Sequence, residues 1–221
     1  KQLEQLIQQM NREQNERNKA MKDCKPSNNT RFTFKDIVYR SREMGRIVEQ
    51  AKKVAQTSSN VLIVGETGTG KELFAQSIHN ESKRKDHKFI AQNCAAIPEN
   101  LLEGLLFGTT TGSFTGAVNR PGIFEQAHKG TLLLDEINSI SLDLQAKLLR
   151  VLQEKKVRRL GSDKEIDIDV RVIATMNEDP MEAIKKGKLR EDLYYRISVV
   201  NLHIKPLRKR KIDIAALIDY F

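Results

Sequence analysis

Tryptophan is absent from the 221 residues and cysteine is confined to two positions, Cys24 and Cys94. Two thiols without metal-ligand spacing exclude a disulfide framework and a structural zinc site, and they suit a reducing cytoplasm. Long apolar runs are missing too. No stretch approaches the about eighteen uninterrupted apolar residues that a membrane-spanning helix needs, and the amino end lacks the basic, apolar and small-residue succession of an export signal. No internal repeat or low-complexity tract stands out beyond a polar leader. What is present is a hydrophobic content of 39%, enough for the core of one good-sized domain. Lysine and arginine outnumber aspartate and glutamate 38 to 29, a net charge of +9. That excess suits nucleic acid, an acidic partner or a phosphorylated ligand, and charge alone does not choose among them. The chain starts at Lys1 and stops at Phe221 inside an apolar, helix-like run, so it is expected to be a piece of a longer protein.

Two parts follow from the pattern. Residues 1–31 read as a linker helix and connector: Leu3, Leu6, Ile7 and Met10 form a short apolar stripe before a Gln, Asn and Arg-rich run. The stripe suits either a solvated connecting helix or a dimerising linker. Pro26, Ser27 and two asparagines then break the helix. From residue 32 to 221 the pattern alternates. A helix is expected over 44–57, then a strand VLIV at 61–64 and a helix over 71–80. Further strands are expected at FIAQN after Lys88, TLLLDE after Gly130 and VRVIAT after Asp169, with LDLQAKLLRVLQE as a helix between the last two. Strand and helix in alternation predict an α/β fold with a parallel sheet covered by helices.

Between the first strand and the helix lies Gly65-Glu66-Thr67-Gly68-Thr69-Gly70-Lys71. Glycines let backbone N–H groups wrap an anion, the next helix presents its positive end, and Lys71 brings a full charge to the outer phosphates. A nucleoside triphosphate is the implied ligand, with an ordinary glycine turn as the alternative. Glu72 stands where a Ser or Thr hydroxyl usually reaches magnesium, so the metal must lean on another ligand or on water. TLLLDE supplies one, because Asp135 and Glu136 fall at the carboxyl edge of the sheet. Asp135 can hold magnesium directly or through water while Glu136 orients and polarises an attacking water. The bland alternative is a strand end entering a loop.

These blocks resemble the AAA+ P-loop NTPase module of the sigma-54-dependent transcription activators, also called bacterial enhancer-binding proteins. The likeness covers about residues 32–221. It rests on GETGTGKELFAQSIH, NCAAIPENLLEGLLFG, RPGIFEQAHKGTLLLDEI, KLREDLYYRISVVNLHIKPLR and above all Gly112-Ser113-Phe114-Thr115-Gly116-Ala117. That last block is similar to the family's loop that contacts sigma-54, with Ser113 in place of the usual Ala. Glycines there bracket an aromatic on an expected mobile tip, where Phe114 either meets a partner or folds back into a local core. The threonine-rich lead and the RPGIFEQA continuation are most similar to regulators of arginine and related catabolism in Gram-positive bacteria.

The resemblance implies a five-stranded parallel sheet, ATP and Mg2+ as ligands, and ATP hydrolysis coupled to remodelling of sigma-54 RNA polymerase. It implies a ring of copies, a hexamer, with a dimer as the inactive form. Asn93 is implied to hold Glu136 until the partner is engaged, its alternative being a strand-end cap. Arg190 and Arg196 are implied to be arginine fingers reaching a neighbour's triphosphate, the alternative being surface arginines paired with Glu191 or Asp192. Asn177 is implied to sense the outer phosphate. A helical lid is expected beyond Phe221, and enhancer DNA is expected to be bound only through a further C-terminal domain. The basic run HIKPLRKRKIDI is accordingly read as a strand end and connector.

Some positions depart from the family pattern. Leu105 stands where an acid is common, Thr109, Thr110 and Thr111 replace charged residues leading into the loop, and Met176 replaces a threonine before Asn177. His79, His87, His128 and His203 are scattered and are expected at the surface or as caps. Cys94 is expected to be a small buried filler. Two other function classes compete: a module that binds ATP structurally and regulates by interaction alone, and a small-molecule P-loop kinase. Glu136 argues against the first and Glu72 against the second.

Overall fold

Alternate residues of each central strand face opposite ways, and this divides the apolar residues into two cores. In the computed structural model, which describes residues 30–113 and 117–220, Leu62, Val64, Leu132, Leu134, Val172, Ala174 and Met176 face one core. Their neighbours Val61, Ile63, Leu133 and Ile173 face the other. Strands buried on both sides read as continuous apolar runs, which is why VLIV and TLLL lack polar alternation.

Helix α1 (Arg42–Ala55) starts where the Ser41 side chain accepts from Met44 N and buries Met44, Val48, Ala51, Val54 and Ala55, a helical spacing that packs one face on the sheet. Strand β1 (Val61–Val64), helix α2 (Lys71–Asn80) and strand β2 (Phe89–Asn93) follow. Helix α3 (Glu99–Phe107) leads into strand β3 (Gly108–Thr109), which pairs antiparallel with strand β4 (Arg120–Pro121). Helix α4 (Ile123–Gln126) precedes strand β5 (Thr131–Asp135), and helix α5 (Leu142–Glu154) is capped by Ser141. Strands β6 (Lys156–Arg158) and β7 (Glu165–Asp167) form a hairpin. Strand β8 (Arg171–Met176) is buried throughout. Helix α6 (Pro180–Lys185) begins with Asp179 as cap and proline in its first turn. Helix α7 (Glu191–Ile197), strand β9 (Val200–His203) and helix α8 (Ile212–Tyr220) complete the order.

The main sheet has five strands in the order β2-β5-β8-β1-β9, every pairing parallel, as the alternating pattern predicts. Helices α1 and α2 cover one face through Val48, Ala51, Phe74 and Ile78; α3 to α7 cover the other through Leu102, Phe124, Leu148, Ala183 and Leu193. The expected helix over 44–57 is observed two residues earlier, because Ser41 supplies the cap. The small β3–β4 and β6–β7 pairs are not legible as strands, being two or three residues long. Arg171 is fully buried and donates to the carbonyls of Val54, Ala55 and Ser59, closing the end of α1. Among the described residues no helix is long and apolar enough to cross a membrane. The expected leader helix and the loop tip at 114–116 lie outside the described residues.

Candidate functional site

The carboxyl ends of β1, β5 and β8 lie side by side, so the loops leaving them share one edge of the sheet. Gly65 to Lys71 leaves β1, its first amide donating to Met176 O at 3.1 Å. Gly68 and Gly70 take φ of 80° and 94°, and a Cβ at either would meet nothing within 4 Å. The left-handed backbone and the open space above it are what an anion cradle requires. Thr69 Oγ1 donates to Glu66 O at 2.7 Å, bracing the turn from within. Glu66 carries an exposed pair with Arg208, which holds its carboxyl below the usual range; Thr67 is exposed.

Lys71 is buried, and its ammonium donates to Gly65 O at 2.7 Å and Glu66 O at 3.1 Å. Burial pulls its pKa down while Asp135 and Glu136 push it up, so the cation sits in the field of both carboxylates. Glu72 faces the other way: Gln76 Nε2 donates to its Oε1 at 2.9 Å, and Gln76 Oε1 accepts from the amides of Arg31 and Phe32. The residue that replaces the usual hydroxyl thus braces the chain entering the domain.

Asp135 ends β5 with both oxygens engaged. Asn93 Nδ2 donates to Oδ2 at 3.1 Å and the Thr175 hydroxyl donates to Oδ1. This corrects the expected Asn93 to Glu136 contact. The parallel register sets Asn93 opposite Asp135, whereas Glu136 leaves the strand through a left-handed turn at φ 56° and ψ 52°. Asn93 also caps the strand end, its Oδ1 accepting from Ala95 and Ala96 amides at 2.9 and 3.1 Å. Asn177 follows β8 on the same edge, where its Oδ1 accepts from Asn138 Nδ2 at 3.2 Å. Each carboxylate oxygen of Asp135 keeps a further lone pair, so the donor set around Lys71 and Asp135 fits a hydrated magnesium ion on a triphosphate.

Beside the phosphate loop is a cavity of about 200 Å³ lined by Ile37, Val38, Gly68, Thr69, Leu73, Leu217 and Tyr220, among others. Its apolar lining suits a flat base next to the phosphates. None of the apolar lining residues is legible in the sequence as a site, because they come from opposite ends of the chain.

Arg196 is not brought to this edge, and the Arg190 side chain is engaged elsewhere. Arg190 pairs with Asp192, Nη2 to Oδ2 at 2.7 Å, the surface pairing that was the alternative. Among the described residues Arg196 pairs with no acid: its guanidinium donates to Leu152 O at 2.8 Å. It lines a cleft with Ser59, Asn60 and Val170, residues that precede β1 and β8 and so mark the opposite end of the sheet.

The glycine-bracketed loop springs from the β3–β4 pair. Thr109 Oγ1 donates to Val118 O, Thr110 Oγ1 to Leu160 O, and Arg159 of the adjoining hairpin grips Glu125 with two nitrogens and Asn119 with a third. At Gly161, φ 76°, a Cβ would meet Ser113 Cβ at 2.8 Å, so only glycine lets the hairpin reach the loop. Gly112 is exposed, Ser113 half-buried and Ala117 buried; Phe114, Thr115 and Gly116 lie outside the described residues. Leu105, the expected oddity, packs against the core. The threonines at 109 and 110 serve the loop base.

His79 departs from expectation. It is fully buried in α2, its Nδ1 2.9 Å from Thr131 Oγ1 and its ring against Phe89, and burial pulls its pKa down to about 4. Sequence pattern missed it because the i+1 and i+5 positions from Ile78 and Phe74 are not the usual apolar stripe. Cys94 is buried as expected, and burial pushes its thiol up to about 12.

The comparisons with known proteins show the family. The sigma-54 interaction domain matches residues 37–203. The chain is 62% identical over 192 residues to the transcriptional activator RocR of Bacillus subtilis (strain 168), covering 87% of this chain and 42% of that protein. It is 52% identical over 202 residues to the transcriptional regulatory protein GlrR of Escherichia coli (strain K12), covering 91% and 45%. NtrX from Brucella abortus, solved in complex with ATP, is similar at a TM-score of 0.77 and 35% identity over 84% of this chain and 42% of that one. The chain spans under half the length of each.

Proposed function

The chain belongs to the sigma-54 interaction domain family of transcriptional activators, an AAA+ ATPase-type fold, and from that premise we propose that it hydrolyses ATP to remodel sigma-54 RNA polymerase. The observation that carries the ATPase half is Lys71 lying buried in the field of Asp135 and Glu136 beside the left-handed glycines of its loop. The loop from Gly65 to Glu72 wraps the phosphates with backbone amides, and Lys71 exchanges its two carbonyl partners for phosphate oxygens. Asp135, through water, holds Mg2+, which when bound neutralises phosphate charge. Glu136 orients the attacking water, Asn177 reads the outer phosphate and Asn93 positions the acidic pair through Asp135.

Arg190 and Arg196 serve a neighbour's site. The place of Arg196 at the far end of the strands from its own phosphate loop favours a ring, a hexamer when active and a dimer when not, in which each subunit completes the next. The loop from Gly112 to Ala117, which carries Phe114, engages sigma-54. Residues 1–31 form the linker to whatever lies upstream, residues 32–221 the motor core, and enhancer DNA is contacted only through a further domain. ATP turnover measured against protein concentration tests this. Specific activity should rise with concentration and be lost in Arg196→Ala; turnover independent of both would leave a monomeric hydrolase and sink the ring.

A further inference from the structure

Thr175 is fully buried on β8, next to the end of β5. Its one hydroxyl does two things: it donates its proton to Asp135 Oδ1 and accepts the Glu136 amide at 3.0 Å. Glu136 takes φ 56°, a region a side-chain-bearing residue rarely adopts. Its amide therefore needs a partner that the parallel ladder, which ends at Asp135, does not supply. A valine would fill the same volume, but it would leave that part-buried amide and one carboxylate oxygen without their partner.

We propose that Thr175 is the positioning residue for both acidic groups, one hydroxyl locking the Asp135 rotamer and the Glu136 turn in mutual register. Because a single hydroxyl joins the two, Asp135 and Glu136 cannot be displaced independently, and a movement of β8 shifts both at once. Neither the phosphate-loop pattern nor the acidic pair points to it. Asn93 grips the other oxygen of Asp135 from β2, so the carboxylate is held from both flanking strands. The inference rests on the ATPase reading for its kinetic consequence, and on geometry alone for the lock.

The test compares Thr175→Val and Thr175→Ser with the unaltered full chain in two measurements: steady-state ATP turnover, and hydrogen exchange at the Glu136 amide without nucleotide. The valine variant should lower kcat roughly tenfold or more, change KM less than about twofold and speed Glu136 exchange at least roughly tenfold. The serine variant, which keeps the hydroxyl, should recover both to within about threefold. Unchanged exchange and turnover in the valine variant overturns the proposal, and so does a serine variant as impaired as valine, since the methyl would then be what matters. If the valine variant does not fold, Thr175→Ala against Thr175→Ser decides on the same readings. An unaltered chain without turnover would sink the ATPase reading, while the exchange data still judge the lock.

Discussion

The phosphate-loop edge and the base of the glycine-bracketed loop are held by different parts of the fold. At the first, each candidate group is held within the site: Lys71 by carbonyls of its own loop, Asp135 by Asn93 and Thr175 from the flanking strands, Glu136 by Thr175. At the second, the described contacts hold the base, where Thr109, Thr110 and Arg159 bind Val118, Leu160 and Glu125. Chemistry that depends on sub-ångström placement needs the first set of contacts. The loop base is held by a separate set of contacts, which share no residue with the first. The comparison implies that turnover and partner engagement are separable.

The largest expected effect tests the first region. Glu136→Gln should lower kcat about a thousandfold with ATP binding retained, read by turnover beside calorimetric titration with nucleotide; loss of binding as well would mean that Glu136 shapes the cradle itself. Next, Phe114→Ala should lower open-complex formation with sigma-54 RNA polymerase more than about a hundredfold while ATP turnover stays within about twofold. Equal loss of both would break the division between the two regions.

A third prediction uses a buried group at the opposite end of β5 from Asp135. Burial holds the His79 imidazole neutral, with its folded pKa near about 4 against an ordinary 6.5. The unfolded chain therefore binds more protons between those values, so stability is full above about pH 6.5 and falls as the pH drops toward about 4. Between pH 7.5 and 5 the loss should be about 2 kcal/mol, and melting curves of His79→Gln should lack that slope. The smallest effect belongs to the loop base. Arg159→Ala should cost roughly 1 kcal/mol of stability, because the pair with Glu125 is bidentate and half-buried. It should weaken sigma-54 engagement and leave turnover unaltered; a parallel fall in turnover would show that the base communicates with the phosphate edge.

Contiguous features were legible because their physics is local. The phosphate loop needs its glycines and Lys71 within one turn, and the strands VLIV and TLLLD show their burial in composition, so these strands and Gly65–Lys71 fall where the pattern predicts. Pairings across strands were not. Asn93 was matched to the wrong carboxylate, since a shift of one residue in register decides between Asp135 and Glu136. His79, polar in an amphipathic pattern, proved to be core because Thr131 on β5 offers it a partner.

By itself, then, the sequence determined the α/β alternation, the anion cradle, the acidic pair and the glycine-bracketed loop, each carried by residues within a few positions of one another. Only the tertiary structure decided which groups hold those parts in place. It assigned Thr175 to Asp135 and Glu136, turned Glu72 toward Gln76, and closed an apolar cavity from Ile37 and Tyr220. It also set Arg196 at the far end of the strands from the phosphate loop. Such contacts join residues tens to well over a hundred positions apart, and their geometry depends on strand order and register, which local propensity does not encode.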